Sequence, residues 1–213
     1  MEATRLIAIR HGETAWNVDT RVQGHLDIPL NARGRWQAAR LARALAMRET
    51  VQAVYSSDLL RARDTARAIS EATGARLTLD TGLRERSFGI FQGRTFGEVQ
   101  ADHPEEALRW RKRDPHWTPE GGESLVAMRE RIDTTVRALA ARHPGEQVVL
   151  VAHGGVLDLL YRAATGQDLQ APRTWQLGNT AINRLLWTPD GLTLVGWADT
   201  THLDDEALDE SFH

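Results

Sequence analysis

Two apolar runs in this chain stop at the same dipeptide, and that repetition limits what the chain can fold into. Leu6-Ile7-Ala8-Ile9 runs into Arg10-His11-Gly12-Glu13, and Val148-Val149-Leu150-Val151-Ala152 runs into His153-Gly154-Gly155. The first is too short and too β-branched to prefer a helix and reads as a buried strand, and the second repeats the pattern. In open α/β folds, ligands bind beyond the carboxyl ends of strands, where loops replace side-chain packing. A histidine placed there, beside an arginine and on a glycine that lets a ligand approach the backbone, is set up for phosphate chemistry. Packing alone does not explain two strands that each end in His-Gly.

The rest of the chain alternates in the same sense. A polar loop with turn signals at Gly24, Pro29 and Gly34 follows the strand Arg5–Arg10. Arg35–Ala46 has helical spacing through Trp36, Ala39, Leu41, Ala42 and Leu45. A short strand is expected at Ala53–Tyr55. Ser57 or Asp58 is placed to cap a helix that runs to about Ala72 and ends at Gly74. Arg76–Leu79 reads as a strand and Glu123–Arg142 as a long helix. Strand Gln147–Ala152, helix Val156–Thr165 and a hairpin of Ile182–Thr188 with Leu192–Ala198 complete the pattern. Repeated alternation predicts an α/β fold with a mainly parallel central sheet and helices on both faces. Phe88–Gly122 breaks the rhythm and is expected to form a small helical cap insertion over the site. Residues 1–213 are expected to form one domain. An edge strand near Ile182–Trp197 would offer a surface for a homodimer. The acidic stretch Asp204–Glu210 reads as a solvated terminus.

Composition narrows the function classes. Apolar residues make up 41% of the 213, which is enough for a core. A net charge of −3 provides no global field to attract nucleic acid or an anionic membrane. The chain has no cysteine, so it has neither a thiolate nucleophile nor a zinc–thiolate site. The N-terminus lacks an extended apolar signal segment, and no apolar stretch approaches the ~20 residues needed to span a bilayer. These features suit a soluble protein of the cytoplasm.

A neutral His11 imidazole can attack phosphorus in line and form a phosphoramidate, splitting one hard displacement into two easier ones. Neighbouring arginines keep the ring neutral by disfavouring the imidazolium. Arg10 and Arg61 are the candidate clamps for the phosphate oxygens. Arg61 is placed where a strand passes into a helix, and the helix N-terminus adds N–H donors. Arg63 and Arg67 read as solvated helix residues. His153 and the Gly154 N–H add further donors. Such a set can replace a divalent metal, and no HExxH, aspartate cluster or P-loop is present; neither metal nor cofactor is expected. Glu85 is the carboxylate placed to protonate a leaving alkoxide and then to activate water. A dianionic phosphate beside it would favour its neutral form. Glu13 reads as a loop-ordering carboxylate.

Five blocks carry a resemblance. Arg10-His11-Gly12-Glu13-Thr14 with Trp16-Asn17, Gln23-Gly24, Pro29-Leu30 and Gly34 forms the first. Ser56-Ser57-Asp58-Leu59 with Arg61-Ala62 and Thr65-Ala66 forms the second, and Leu83-Arg84-Glu85 with Phe88-Gly89 and Gln92-Gly93 the third. Pro119–Ser124 and Val151–Gly155 complete the order. Together they resemble the histidine phosphatase superfamily in its phosphoglycerate mutase-like branch, from about Leu6 to Trp197. The resemblance implies a three-layer α/β/α sandwich. It also implies His11 as nucleophile, Arg10, Arg61 and His153 as phosphate ligands, and Glu85 as proton donor. Asn17, Gln23 and Gly24 are implied to help hold the phosphate.

Within that family the expected activity is that of a metal-independent phosphomonoester phosphatase acting on a small phosphorylated metabolite. Mutases dependent on 2,3-bisphosphoglycerate generally carry a longer insertion, whereas here only Gly93 to Gly122 separates the third and fourth blocks. A short cap should admit water to the phosphohistidine. The tail around Thr201–Asp204 also resembles mutase-named proteins suspected of being phosphatases. Trp110-Arg111-Lys112 pulls toward the mutase alternative, because it resembles the segment with which mutases grip the far anionic end of the substrate. Phe88, Phe91, Trp110 and Trp117 are candidates for pocket walls or for cap core. A non-catalytic phospholigand-binding domain is the third alternative, although a binder needs neither nucleophile nor acid.

Overall fold

A computed structural model describes residues 2–204. In chain order the elements are β1 (Thr4–Arg10), α1 (Ala15–Val18), α2 (Ala32–Arg48), β2 (Ala53–Ser56), α3 (Leu60–Thr73) and β3 (Arg76–Leu79). They continue with α4 (Phe96–Asp102), α5 (Pro104–Arg111), α6 (Leu125–Ala140), β4 (Gln147–Ala152), α7 (Gly154–Thr165), β5 (Ile182–Thr188) and β6 (Gly191–Asp199). One six-stranded sheet has the order β3-β2-β4-β1-β5-β6. β3, β2, β4 and β1 run parallel, and β5 and β6 extend the sheet antiparallel beyond β1.

Side-chain alternation along the strands builds two separate apolar layers. Ile7, Ile9, Val149 and Val151 pack against Leu41 and Leu45 of α2 and Ala62, Ala66 and Ile69 of α3. Leu6, Ala8, Val148 and Leu150 pack on the other face against Met128, Ile132 and Val136 of α6 and Val156, Leu157 and Leu160 of α7. The result is a helix–sheet–helix sandwich. Residues 88–122 leave the sheet after Leu83 and return before α6, and Phe88 and Gly122 form an isolated bridge at the base of the excursion. Phe91, Val99, Ala107 and Trp117 give this cap its own small core.

Helices α6 and α7 begin two residues from the expected starts, at Leu125 and Gly154, and three other local differences have an identifiable cause. The short α1 falls in the stretch read as a loop; Thr14 caps it, with Asn17 returning a bond to Thr14 N–H. Helix α2 starts at Ala32 rather than Arg35, because Asn31 Oδ1 accepts from Gly34 N–H at 2.7 Å. Gly34 is therefore inside the first turn, and an added Cβ there would lie 2.1 Å from the Glu13 carbonyl oxygen. Helix α3 is capped neither by Ser57 nor by Asp58. Leu59 is its N-cap and makes no side-chain bond, while Asp27 from a distant loop accepts the Leu60 N–H at 2.6 Å. Asp58 instead pairs with Arg84 at 2.5 Å. Gly74 ends α3 in the left-handed region at φ 75°, as its position suggests. Among the described residues no helix is long and apolar enough to cross a membrane. The acidic stretch beyond Asp204 lies outside the described residues.

Candidate active site

β1 and β4 are adjacent and parallel, with Arg10 in register with Ala152, so their carboxyl ends deliver His11 and His153 side by side. The ring centroids are 5.3 Å apart. His11 Nδ1 lies 2.7 Å from the Gly12 carbonyl oxygen. A carbonyl only accepts, so Nδ1 carries the hydrogen and Nε2 keeps its lone pair. Burial, then the charges of Arg61 and Arg10, hold the His11 value well below the ordinary 6.5. His153 is lowered in the same direction, first by burial and then by Arg61. Both rings are neutral at physiological pH.

The guanidinium groups come from two directions. Arg10 Nη1 donates to the Leu177 carbonyl at 2.6 Å. Arg61, 1% exposed in the first turn of α3, donates to the carbonyls of Leu26 and Gly24, both at 2.8 Å. Burial lowers its value to about 10, so the group stays charged at neutral pH. Arg10 Nε, Arg61 Nε, both ring nitrogens of His153 and Gln23 Oε1 are buried without a protein partner. Buried polar groups normally find partners, and a tetrahedral anion between the two histidines would accept from both arginine Nε–H groups and from one His153 N–H, whereas Gln23 Oε1 can only accept.

Glu85 and Arg10 both approach Gly154. A Cβ built on Gly154 would be 3.6 Å from Arg10 Nε and 4.0 Å from Glu85 Oε2. The Glu85 carboxylate is fixed by the N–H groups of Arg86 and Gly155 at 2.8 and 2.9 Å. A side chain at 155 would collide with it, because a Cβ there would approach Oε1 to 2.2 Å. Gly154 is the first residue of α7, so its N–H opens a helix N-terminus beside the histidines. Gly24, in the left-handed region at φ 49°, lends its carbonyl to Arg61. Asn17 is half-buried in the α1 capping box. Glu13 accepts from Asn31 Nδ2 at 2.8 Å and orders the loop.

Beside Glu85 opens a pocket of about 220 Å³, whose walls include Phe88, Trp110, Arg113, Gly154, Asp158 and Arg173. Trp110 thus reaches the pocket, and Phe91 and Trp117 belong to the cap core. Arg111 does not reach it. This side chain is exposed, lies 5.0 Å over the Phe96 ring and donates to Gln100. A groove of about 440 Å³ between α6, α7 and the β5–β6 turn contains none of the catalytic candidates. Among the described residues no group of three or more histidines and carboxylates is arranged to hold a metal.

Several contributors escaped the sequence reading. Thr65 Oγ1 accepts the Gly12 N–H at 3.0 Å and donates to the Arg61 carbonyl, tying the end of β1 to the first turn of α3. The segment before β5 supports the site backbone: Asn179 donates to the His11 carbonyl, and Thr180 N–H donates to the Arg10 carbonyl. His25 donates from Nε2 to the Glu85 carbonyl at 2.8 Å. Thr65 stands in the second motif block without an assigned role, and Gly178-Asn179-Thr180 comes just before an apolar strand.

Two buried neutral imidazoles beside guanidinium groups, with a carboxylate close by, make a site suited to phosphoryl transfer. The chain belongs to the histidine phosphatase superfamily (branch 1), whose family model matches residues 6–200, and it is an enzyme of that family. It is 37% identical over 215 residues to phosphoglycerate mutase-like protein 4 of Arabidopsis thaliana, covering 99% of this chain and 92% of that one. It is 43% identical over 200 residues to the glucosyl-3-phosphoglycerate phosphatase of Mycobacterium tuberculosis, covering 89% of each. The solved structure of Bacillus stearothermophilus YhfR superposes with a TM-score of 0.86 at 30% identity, covering 95% of this chain and all of that one, 100%.

Proposed function

We propose that this chain is a metal-independent phosphomonoester phosphatase that hydrolyses a small phosphorylated metabolite through a phosphohistidine at His11. The observation that carries the reading is the His11 ring: Nδ1 is committed to the Gly12 carbonyl, and Nε2 is left as a buried, neutral nucleophile. Nε2 attacks phosphorus in line and displaces the ester oxygen. Arg10, Arg61 and a His153 N–H take the charge of the non-bridging oxygens. Glu85 supplies the proton that the departing alkoxide takes up. It then removes a proton from the water that attacks the phosphohistidine, so His11 is regenerated and inorganic phosphate released. The cap of residues 88–122 is short, and Arg111 faces away from the pocket; both favour hydrolysis over return of the phosphoryl group to a bound acceptor. The relative named as a phosphatase supports the same reading.

The test is an acid-quenched reaction with a labelled phosphomonoester in EDTA. Acid-labile, base-stable label on the protein, abolished in His11→Ala together with turnover of para-nitrophenyl phosphate, is expected. Substantial residual turnover in that variant would refute the nucleophile. Conversion of 3- to 2-phosphoglycerate, stimulated by 2,3-bisphosphoglycerate and faster than hydrolysis, would assign the chain as a mutase instead. Ligand binding without turnover across a broad phosphomonoester panel would make it a binding domain.

A further inference from the structure

The pocket beside Glu85 holds three guanidinium groups, and two of them are already engaged. Arg86 donates to the carbonyls of Glu123 and Trp117, and its guanidinium lies over the Phe88 and Trp117 rings. Arg113 pairs with Asp158 at 2.6 Å and donates to the Leu169 carbonyl. Arg173 also lines this pocket and is exposed, and it forms no salt bridge with any carboxylate among the described residues.

The chain around Arg173 is held on both sides. Arg162, 2% exposed and paired with Asp158, donates to the carbonyls of Asp168 and Ala171. Trp175 is stacked on Tyr161 with centroids 4.1 Å apart and has the Arg162 guanidinium 4.7 Å over its ring. Leu177 accepts from Arg10. The backbone that presents Arg173 is thus built into the same network as the phosphate clamp. Its charge also helps lower the values of Arg10 and Arg113. An anion bound among these groups would relieve that crowding of like charges.

We propose that Arg173 binds a carboxylate on the alcohol part of the substrate, so that the substrate is a small phosphorylated acid. The inference rests on the reading of the site as a phosphatase. The phosphate occupies Arg10 and Arg61, and the leaving oxygen faces Glu85. The alcohol carbon chain then lies in the 220 Å³ pocket, which Arg173 lines. One free guanidinium matches one planar monoanion through its fork. A second phosphate dianion would call for more unpaired cation than this wall supplies.

The test uses ligand pairs that differ at the carboxylate: O-phospho-L-serine against O-phosphoethanolamine, and 3-phosphoglycerate against glycerol 3-phosphate. A charge-assisted bidentate contact gives the acid member of each pair a preference of about tenfold or more in kcat/KM. That ratio is expected to fall below about threefold in Arg173→Met, with partial recovery in Arg173→Lys. Calorimetric titration of the same pairs into His11→Ala protein reads the preference without turnover. Equal affinity within the pairs there, or a ratio that Arg173→Met leaves in place, overturns the assignment of Arg173. Preferential binding of the acids without turnover by the native enzyme overturns the phosphatase reading instead and leaves the anion contact standing.

Discussion

His11 and His153 show how burial sets chemistry at a single side chain. Each ring would titrate near 6.5 in an unfolded chain, but in the folded protein each is held well below that value by burial. The folded state therefore binds fewer protons, so the stabilisation is fully present above about pH 6.5 and is lost progressively as pH falls from there toward the lower folded values. Stability is expected to fall from about pH 7.5 to 5.5, because both rings take up protons in the unfolded chain before they do in the folded one. Denaturant titrations at the two pH values measure it, and His153→Asn should remove one ring's share of the slope. At the same scale Thr65 offers a sharper test. Its hydroxyl is fully buried between Gly12 and Arg61. Thr65→Val keeps the shape and strands the Gly12 N–H, at a cost of about 1–3 kcal/mol by chemical denaturation.

Helix α2 shows how one element reaches the site. Asn31 accepts from Gly34 N–H through Oδ1 and donates to Glu13 through Nδ2, so one cap residue also anchors the loop after His11. Asn31→Ala is expected to lower stability by about 1–2 kcal/mol through the lost cap. It is also expected to reduce kcat, because Glu13 and its loop lose their tie. A stability loss with unchanged kcat would show that the loop is held by other contacts, such as the Glu13 N–H bond to Gln37. Gly34 is less tolerant. Any side chain there meets the Glu13 backbone, so Gly34→Ala should destabilise the protein by more than the cap deletion.

For the whole molecule, the cap and the sandwich are separate packing units. The cap cluster shares no buried residue with the two layers on the sheet. Trp117 is 1% exposed at its centre. Trp117→Ala removes an amount of packing that costs about 3–5 kcal/mol in a typical core. Hydrogen exchange is expected to quicken over residues 96–111 and to stay slow in β1 and β4, and KM should rise more than kcat falls. Uniform loss of protection would mean that cap and sheet unfold as one.

What the sequence determined by itself was whatever depends on near neighbours along the chain. Apolar runs gave β1 and β4, their ends placed His11 and His153, and apolar spacing gave α2, α6 and α7. Periodic burial and turn chemistry are local properties, and they suffice for these assignments. Tertiary structure decided what depends on distant partners. The α3 cap comes from Asp27, the backbone under His11 is held from Asn179, and the expected cap cation Arg111 turns outward while Arg113 and Arg173 face the pocket. Those contacts join segments far apart in the chain. Their direction is set by how the layers pack, and no local pattern of residues encodes it.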